Sequence, residues 1–189
     1  MATKPGERKT QILQTLAGML EQPQGEKITT AALAAKVGVS EAALYRHFAS
    51  KAQMFEALIE FIEESVFSLV SQITQSERDG RAQVQQMVSM LLNFAEKNPG
   101  MVKVLIGDAL VHEDARLQTR INQLLDRIES SLKQALQLVA AAPGGSVAPS
   151  AHANALCAFV IGRWELFAKS GFKRTPSEHW AEQMALFRL

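Results

Sequence analysis

The sequence is poor in the residues that build disulfides, metal sites and catalytic centres. Its one cysteine, Cys157, excludes an internal disulfide and is typical of proteins in a reducing cytosol. The four histidines have no i, i+4 partner and no nearby cysteine pair, so we expect no metal site. The chain also lacks a glycine-rich phosphate loop and a G-x-S-x-G motif. We therefore expect neither catalytic residues nor a cofactor.

Long apolar runs are missing as well. No run approaches the ~20 residues of a membrane span, and the N-terminal MATKPGERKT has no apolar core of a secretory signal. We therefore expect a cytoplasmic protein without membrane partners. Six prolines are few for 189 residues, whereas alanine, leucine, glutamine and glutamate are abundant. Together with an apolar content of 47%, this composition favours a globular all-α fold.

Charge is unevenly distributed along the chain. Residues 1–55 contain seven lysines and arginines against four acidic residues, whereas residues 56–140 contain eight against twelve. A basic head on an acidic middle suits a protein that presents one end to DNA. Chance segregation also produces differences of this size.

The stretch from Lys27 to Lys51, KITTAALAAKVGVSEAALYRHFASK, has the pattern of a helix-turn-helix. Thr29 and Thr30 are capping residues before the first short helix, and Ser40 caps the second. Gly38 supplies the positive φ that a three-residue turn needs. Each helix has an apolar pair at four-residue spacing, Leu33 with Val37 and Leu44 with Phe48. Two short helices joined by such a turn are typical of DNA-reading proteins.

The second helix of this motif carries the side chains that we expect to contact DNA. Its first turn has small or short side chains, which suits a helix whose N-terminal end enters a major groove. Lys51 opens the next helix, where a cation and a helix N-terminus point at the same phosphate. An ordinary αα-hairpin has the same spacing, but the exposed LYRHF cluster favours an anionic partner. The predicted DNA-binding residues are Thr29, Thr30, Lys36, Ser40, Glu41, Ala42, Tyr45, Arg46, His47 and Lys51.

The motif T-x-x-L-A-x-x-x-G-V-S-x-x-x-L-Y-x-H-F-x-S-K, written with the residues present here, resembles the DNA-binding domain of the TetR family of bacterial regulators. The resemblance implies a three-helix DNA-binding head, residues 1–50, and a larger helical dimerisation and partner-binding domain, residues 51–189. It also implies a homodimer on double-stranded DNA.

Further segments resemble one branch of that family, whose members act in nucleoid occlusion. They are VSEAALYRHF, LIEFIEES (58–65), EKNPG (96–100) and RLQTRINQLLDRIE (116–129), and the resemblance covers roughly residues 9–136. It implies a nucleoid-associated protein that binds palindromic chromosomal sites, with one or several dimers per site. While bound to DNA, such proteins capture the C-terminal tail of the division protein FtsZ. This antagonises FtsZ ring assembly and keeps the septum from closing over the nucleoid.

The same resemblance implies a tail-binding site between the long helix after the motif and the next helix. Lys97 is a suitable partner for an acidic peptide, and Asn98 for its backbone. The chain departs from the family pattern at Leu69, where a basic residue is expected, and at Asn93, where a glycine is expected. The implied tail-binding residues are Phe61, Leu69, Met90, Asn93, Lys97 and Asn98.

A ligand-responsive repressor is the alternative function for a TetR-like chain. Four aromatic residues have positions from which they would line a ligand pocket, although aromatic residues at helical spacing are also typical of plain core. They are Phe94, Phe159, Trp164 and Phe167.

Apolar periodicity predicts helices over residues 9–21, 50–73, 82–97, 101–110, 115–142, 152–172 and 176–189. The second of these carries an acidic stripe that we expect to be a solvated face: Glu56, Glu60, Glu63 and Glu64. The helix over 152–172 is apolar nearly all round, so we expect a second subunit to cover part of it. The sequence therefore predicts a homodimer through residues 117–141 and 151–171.

Overall fold

The structure is a computed structural model that describes residues 5–22, 28–144 and 147–188. These residues form helices joined by turns, without a strand, and the predicted all-α fold is confirmed. The helices are α1 (Pro5–Leu20), α2 (Thr30–Val37), α3 (Glu41–Tyr45), α4 (Lys51–Ser76), α5 (Gly80–Lys97), α6 (Pro99–Leu105), α7 (Ala115–Ala141), α8 (Pro149–Lys169) and α9 (Trp180–Met184). The predicted DNA-binding head, residues 1–50, includes residues 1–4 and 23–27, which lie outside the described residues. Within the described ranges, no helix combines the length and hydropathy of a membrane span.

The predicted capping residues begin the helices of the head. Thr29 accepts a hydrogen bond from the amide of Ala32 at 3.1 Å, and Ser40 accepts one from the amide of Ala43 at 3.2 Å. Gly38 has φ 78°, and its amide donates to the last carbonyls of α2. The predicted helix-turn-helix is therefore confirmed in its caps and in its turn.

Several predicted helix bounds are wrong, and glycine and proline explain most of the differences. α6 begins at Pro99 rather than at residue 101 and ends at Leu105, because Gly107 adopts φ 85° and residues 108–110 form a 3-10 turn. α8 is shifted towards Pro149, which occupies its first turn. Instead of one helix over 176–189, the chain has the short α9 and a 3-10 turn, Ala185–Phe187. α1 starts earlier than predicted, so Arg8 also belongs to the helix.

The larger core lies among α5, α7 and α8, which pack along one another. Trp164 is fully buried there, and its indole N–H donates to the carbonyl of Leu91 at 3.2 Å. Phe94 and Phe167 are buried in the same core. Cys157 is also buried, and burial, assisted by the nearby acids of α7, raises the pKa of its thiol to about 11. The thiol is therefore protonated at neutral pH.

The acidic stripe of α4 is only partly the solvated face that its sequence predicts, because Glu60 and Glu64 are exposed whereas Glu56 and Glu63 bind residues of α7. The guanidinium of Arg120 binds the Glu63 carboxylate twice, with Nε–Oε1 at 3.1 Å and Nη2–Oε2 at 2.7 Å. Arg116 pairs with Glu56 at 3.0 Å. The hydrogen bonds to Glu63 raise the pKa of Arg120, and both pairs tie α4 to α7. The partners lie far away in the sequence, so the periodicity of α4 alone does not reveal them.

Candidate nucleic-acid interface and peptide groove

The head presents the outer side of α3 to solvent. Leu44 and Phe48 are buried against α1 and α2, as their spacing predicts, and this packing fixes which side of α3 faces outward. Glu41, Ala42 and Tyr45 are exposed on that outer side. Most of the predicted DNA-binding residues are thus accessible, and their contact with DNA stays a prediction.

Three of the predicted residues contact one another across α2 and α3. The Thr30 hydroxyl donates to Glu41 Oε2 at 2.7 Å, and the Tyr45 hydroxyl donates to Thr30 Oγ1 at 3.4 Å. Lys36 and Arg46 are exposed, at the last turn of α2 and at the end of α3, and take no part in these bonds. The sequence predicts these residues as DNA contacts and gives no sign of the bonds among them.

Lys51 has a partner that sequence reasoning missed. Its amine pairs with the Glu113 carboxylate and lies 5.6 Å from the ring centroid of Phe55. Glu113 belongs to the connection before α7, where its amide donates to the Leu110 carbonyl at 3.0 Å and His112 has φ 68°. The cation predicted for a phosphate therefore joins the start of α4 to this connection. A phosphate contact at Lys51 has to compete with Glu113.

The implied tail-binding residues lie on the adjacent helices α4 and α5. Three residues separate these helices, so they run antiparallel, and Phe61 of α4 lies near the end of α5, where Lys97 and Asn98 are found. Phe61 is 48% exposed and Leu69 38% exposed. Lys97 is exposed. The structure brings Phe61 and Asn98 into one groove.

That groove has a volume of about 410 Å³, and helix α1 of the head forms one of its walls. Leu13, Gln14 and Ala17 of α1 line it, and sequence reasoning missed them because its motifs lie elsewhere. Asn98 donates from Nδ2 to the Phe94 carbonyl at 2.8 Å, which fixes the amide beside the groove.

The close approach of α1 and α6 forms the edge of the groove. A Cβ atom on Gly100 would lie 2.1 Å from the carbonyl oxygen of Ala17, so only glycine fits here. The sequence predicts the Asn-Pro-Gly segment as a helix stop; it also begins α6 and contacts the head.

Two family models match the chain, each over one part of it. The model for bacterial regulatory proteins of the tetR family matches residues 25–58. The model for the tetracyclin repressor-like, SlmA-like C-terminal domain matches residues 78–189. A crystal structure of a TetR-like transcriptional regulator from Rhodococcus sp. RHA1 has the same fold, with a TM-score of 0.76 over 98% of this chain and 97% of that chain at 17% identity. The fold and the head thus define a TetR-type DNA-binding regulator.

Similarity to individual proteins shows which family of TetR-type regulators the chain belongs to. The nucleoid occlusion factor SlmA of Alteromonas mediterranea is 49% identical over 189 residues, which are 99% of this chain and 97% of that protein. SlmA of a Marinomonas species is 51% identical over 187 residues, 97% of this chain and 94% of its own length. The chain belongs to the SlmA family of nucleoid occlusion factors, and the resemblance predicted from the motifs is confirmed. This is a family of DNA-binding regulators rather than of enzymes.

Proposed function

We propose that this chain is a nucleoid occlusion factor that works through DNA-dependent capture of FtsZ. A homodimer binds palindromic chromosomal sites in the cytoplasm and holds the C-terminal tail of FtsZ between α4 and α5, at the end where Phe61 and Asn98 line the groove shared with α1 and α6. FtsZ ring assembly, and with it septum formation over the nucleoid, is then blocked. The observation that carries this proposal is the half-exposed Phe61 in a groove that Asn98 also lines, with the exposed Lys97 next to Asn98 in the chain.

The chemistry of the groove suits an acidic peptide with apolar side chains. Phe61 offers an aromatic surface that water solvates poorly, and aromatic residues in such positions are typical anchors of protein interfaces. Lys97 is exposed in the last turn of α5, and its cation would attract an acidic tail. Asn98 Oδ1 is an acceptor for a peptide amide, since its Nδ2 is already bonded within α5.

Neither of the two departures from the family pattern, Leu69 and Asn93, belongs to the lining of this groove. Leu69 is exposed on α4 two turns beyond Phe61, with Ser65 between them, and it offers an apolar contact in place of an ion pair. Asn93 donates from Nδ2 to the carbonyl of Ser89 at 2.7 Å, so its amide lies along its own helix. Met90 is half-buried on α5.

The homodimer is supported by the outer face of α8. One side of this helix packs on α7, and the other carries a stripe of accessible small residues that would let a second α8 approach closely. The stripe consists of Ala151, Ala155, Ala158 and Gly162, with Leu166 beside it. A two-fold axis through this face repeats the head, which matches a palindromic site.

Phe61→Ala is expected to weaken binding of an FtsZ tail peptide to the DNA-loaded protein by about tenfold or more, because truncated anchors typically cost over ~1 kcal/mol. Lys97→Glu is expected to weaken it as well, by turning attraction into repulsion. Both should leave operator affinity and thermal stability nearly unchanged, because Phe61 is half-exposed and Lys97 is on the surface. Fluorescence anisotropy with labelled peptide and labelled operator measures both affinities on the same preparation.

Leu186→Ala and Lys173→Glu are matched controls on exposed positions away from the groove. Unchanged peptide affinity in both groove variants would place the tail site elsewhere. If the DNA-loaded wild type binds no tail peptide at all, the ligand-responsive repressor becomes the better interpretation of this chain.

Lys51→Met is expected to weaken specific and random DNA alike and to lower the slope of log affinity against log salt by about one, because phosphate contacts carry no sequence information. Ala42→Leu should instead reduce specific binding first, because Ala42 is in the groove-facing turn. The double variant Lys51→Met, Glu113→Gln controls for the carboxylate that Lys51 leaves unpaired. Titrations over a range of salt concentrations separate these effects. Equal losses on both DNAs for Lys51→Met and Ala42→Leu would contradict the assigned faces.

A further inference from the structure

Glu41 is the one acidic side chain among the residues predicted to face DNA. It is exposed in the first turn of α3, the end of the helix that enters the major groove. A carboxylate at this place is repelled by phosphates, and the surrounding residues 1–55 are otherwise predominantly basic. Its presence on this face lowers the affinity for DNA of any sequence. A role in selecting the DNA sequence would offset that loss of affinity.

Thr30 holds the Glu41 carboxylate directly, and Tyr45 in turn holds Thr30. Thr30, at the start of α2, donates to Oε2 at 2.7 Å, and the Tyr45 hydroxyl in turn donates to Thr30 at 3.4 Å. In the part of the chain that the structure describes, no hydrogen bond reaches Oε1. One carboxylate oxygen is therefore anchored from α2, while the other remains a free acceptor on the outer side of α3.

We propose that Glu41 Oε1 accepts a hydrogen bond from the N4 amino group of a cytosine in each half-site. In the major groove a cytosine offers this donor, whereas guanine offers two acceptors and thymine one, which repel a carboxylate. Adenine has a donor too, but its neighbouring N7 acceptor is unfavourable beside an acid. Glu41 thus sets specificity by rejecting other bases, and Thr30 and Tyr45 act as its positioning residues. The proposal rests on the proposed DNA reading by α3.

Substitution by glutamine tests this proposal sharply. The glutamine of the Glu41→Gln variant keeps an oxygen acceptor for Thr30, whereas its free arm becomes an amino donor. Binding-site selection from a random palindromic library is carried out with the full-length wild type, Glu41→Gln, Glu41→Ala and Thr30→Val. The affinities of the selected sites and of single-base variants are then measured at one salt concentration.

The wild type is expected to prefer cytosine at one position of each half-site by about tenfold or more. Glu41→Gln should move the preference at that position to a base with an acceptor, such as adenine or guanine, and leave the other positions unchanged. Glu41→Ala should abolish the preference at that position alone. Thr30→Val should keep cytosine as the preferred base but with weaker discrimination, because the carboxylate loses its anchor.

Other outcomes overturn the proposal in recognisable ways. If Glu41→Gln selects the same bases as the wild type and binds every site more tightly, the carboxylate only repels phosphates. If it binds every site more weakly with unchanged preferences, the carboxylate only joins α2 to α3. If the wild type itself enriches no palindrome, the proposed DNA function fails, and the base contact by Glu41 fails with it. The wild-type selection therefore separates the two failures.

Discussion

Ala158→Glu is expected to convert the protein from a dimer to a monomer and to weaken its binding to a palindrome by a factor of about 10²–10⁴. Ala158 lies in the middle of the small-residue stripe on α8, opposite the side that packs on α7. A carboxylate there is brought against its own copy across the two-fold axis, where it is desolvated without a partner. Each head then binds its half-site independently, without the gain in affinity that two heads joined in one dimer have.

Analytical ultracentrifugation and operator titrations measure the two effects together. Ala181→Glu, an exposed position on α9, is the matched control and should remain a dimer with normal affinity. Binding of an isolated half-site should be the same in all three proteins, because the head is untouched. A wild type that sediments as a monomer at micromolar concentration would refute the dimer. If the Ala158→Glu protein remained dimeric, the dimer interface would lie on another face of the protein.

Gly100→Ala is expected to lower the free energy of unfolding by about 1–3 kcal/mol, the usual range for an overpacked site. The new Cβ would lie 2.1 Å from the carbonyl oxygen of Ala17 and 3.2 Å from Cγ of Glu21. The nearer atom is backbone, so α1 and α6 have to separate. For a chain of this size, each kcal/mol corresponds to about 2–4 °C in melting temperature.

Gly18→Ala is the matched control, because it makes the same chemical change inside α1. A Cβ on Gly18 meets nothing within 4 Å, so alanine gains helix propensity there without a clash. We expect a stabilisation of about 0.5–1 kcal/mol. Urea unfolding of both variants gives the two free energies. If the free energy of unfolding changed in the same direction in both variants, the backbone contact between α1 and α6 would not explain the glycine at residue 100.

Local chemistry made the head predictable from its sequence. Thr29, Ser40 and Gly38 act on atoms within a few residues of themselves, so their caps and the turn follow from residue type and spacing. The burial of Leu44 and Phe48 follows from the i, i+4 rule in the same way. The predicted helix bounds were wrong where such signals compete. Pro99, for example, follows the end of α5 and begins α6.

Contacts between segments that are distant in the sequence could not be predicted from residue spacing. The pairs Lys51–Glu113 and Arg120–Glu63 join residues about sixty positions apart, and neither partner reveals the other by spacing. The wall that α1 contributes to the peptide groove was missed for the same reason. The helix-turn-helix was therefore predictable from its motif residues, whereas the distant partners of its side chains were not.

Burial of the lone cysteine has a practical consequence for spectroscopy. Because the Cys157 thiol is enclosed between α7 and α8 and remains protonated at neutral pH, maleimide reagents have little thiolate to attack. A cysteine introduced at Leu186, which is 77% exposed, would take up a fluorophore selectively in the otherwise native chain. Dyes placed in this way on the head and on the body would report the distance between them as DNA and peptide bind.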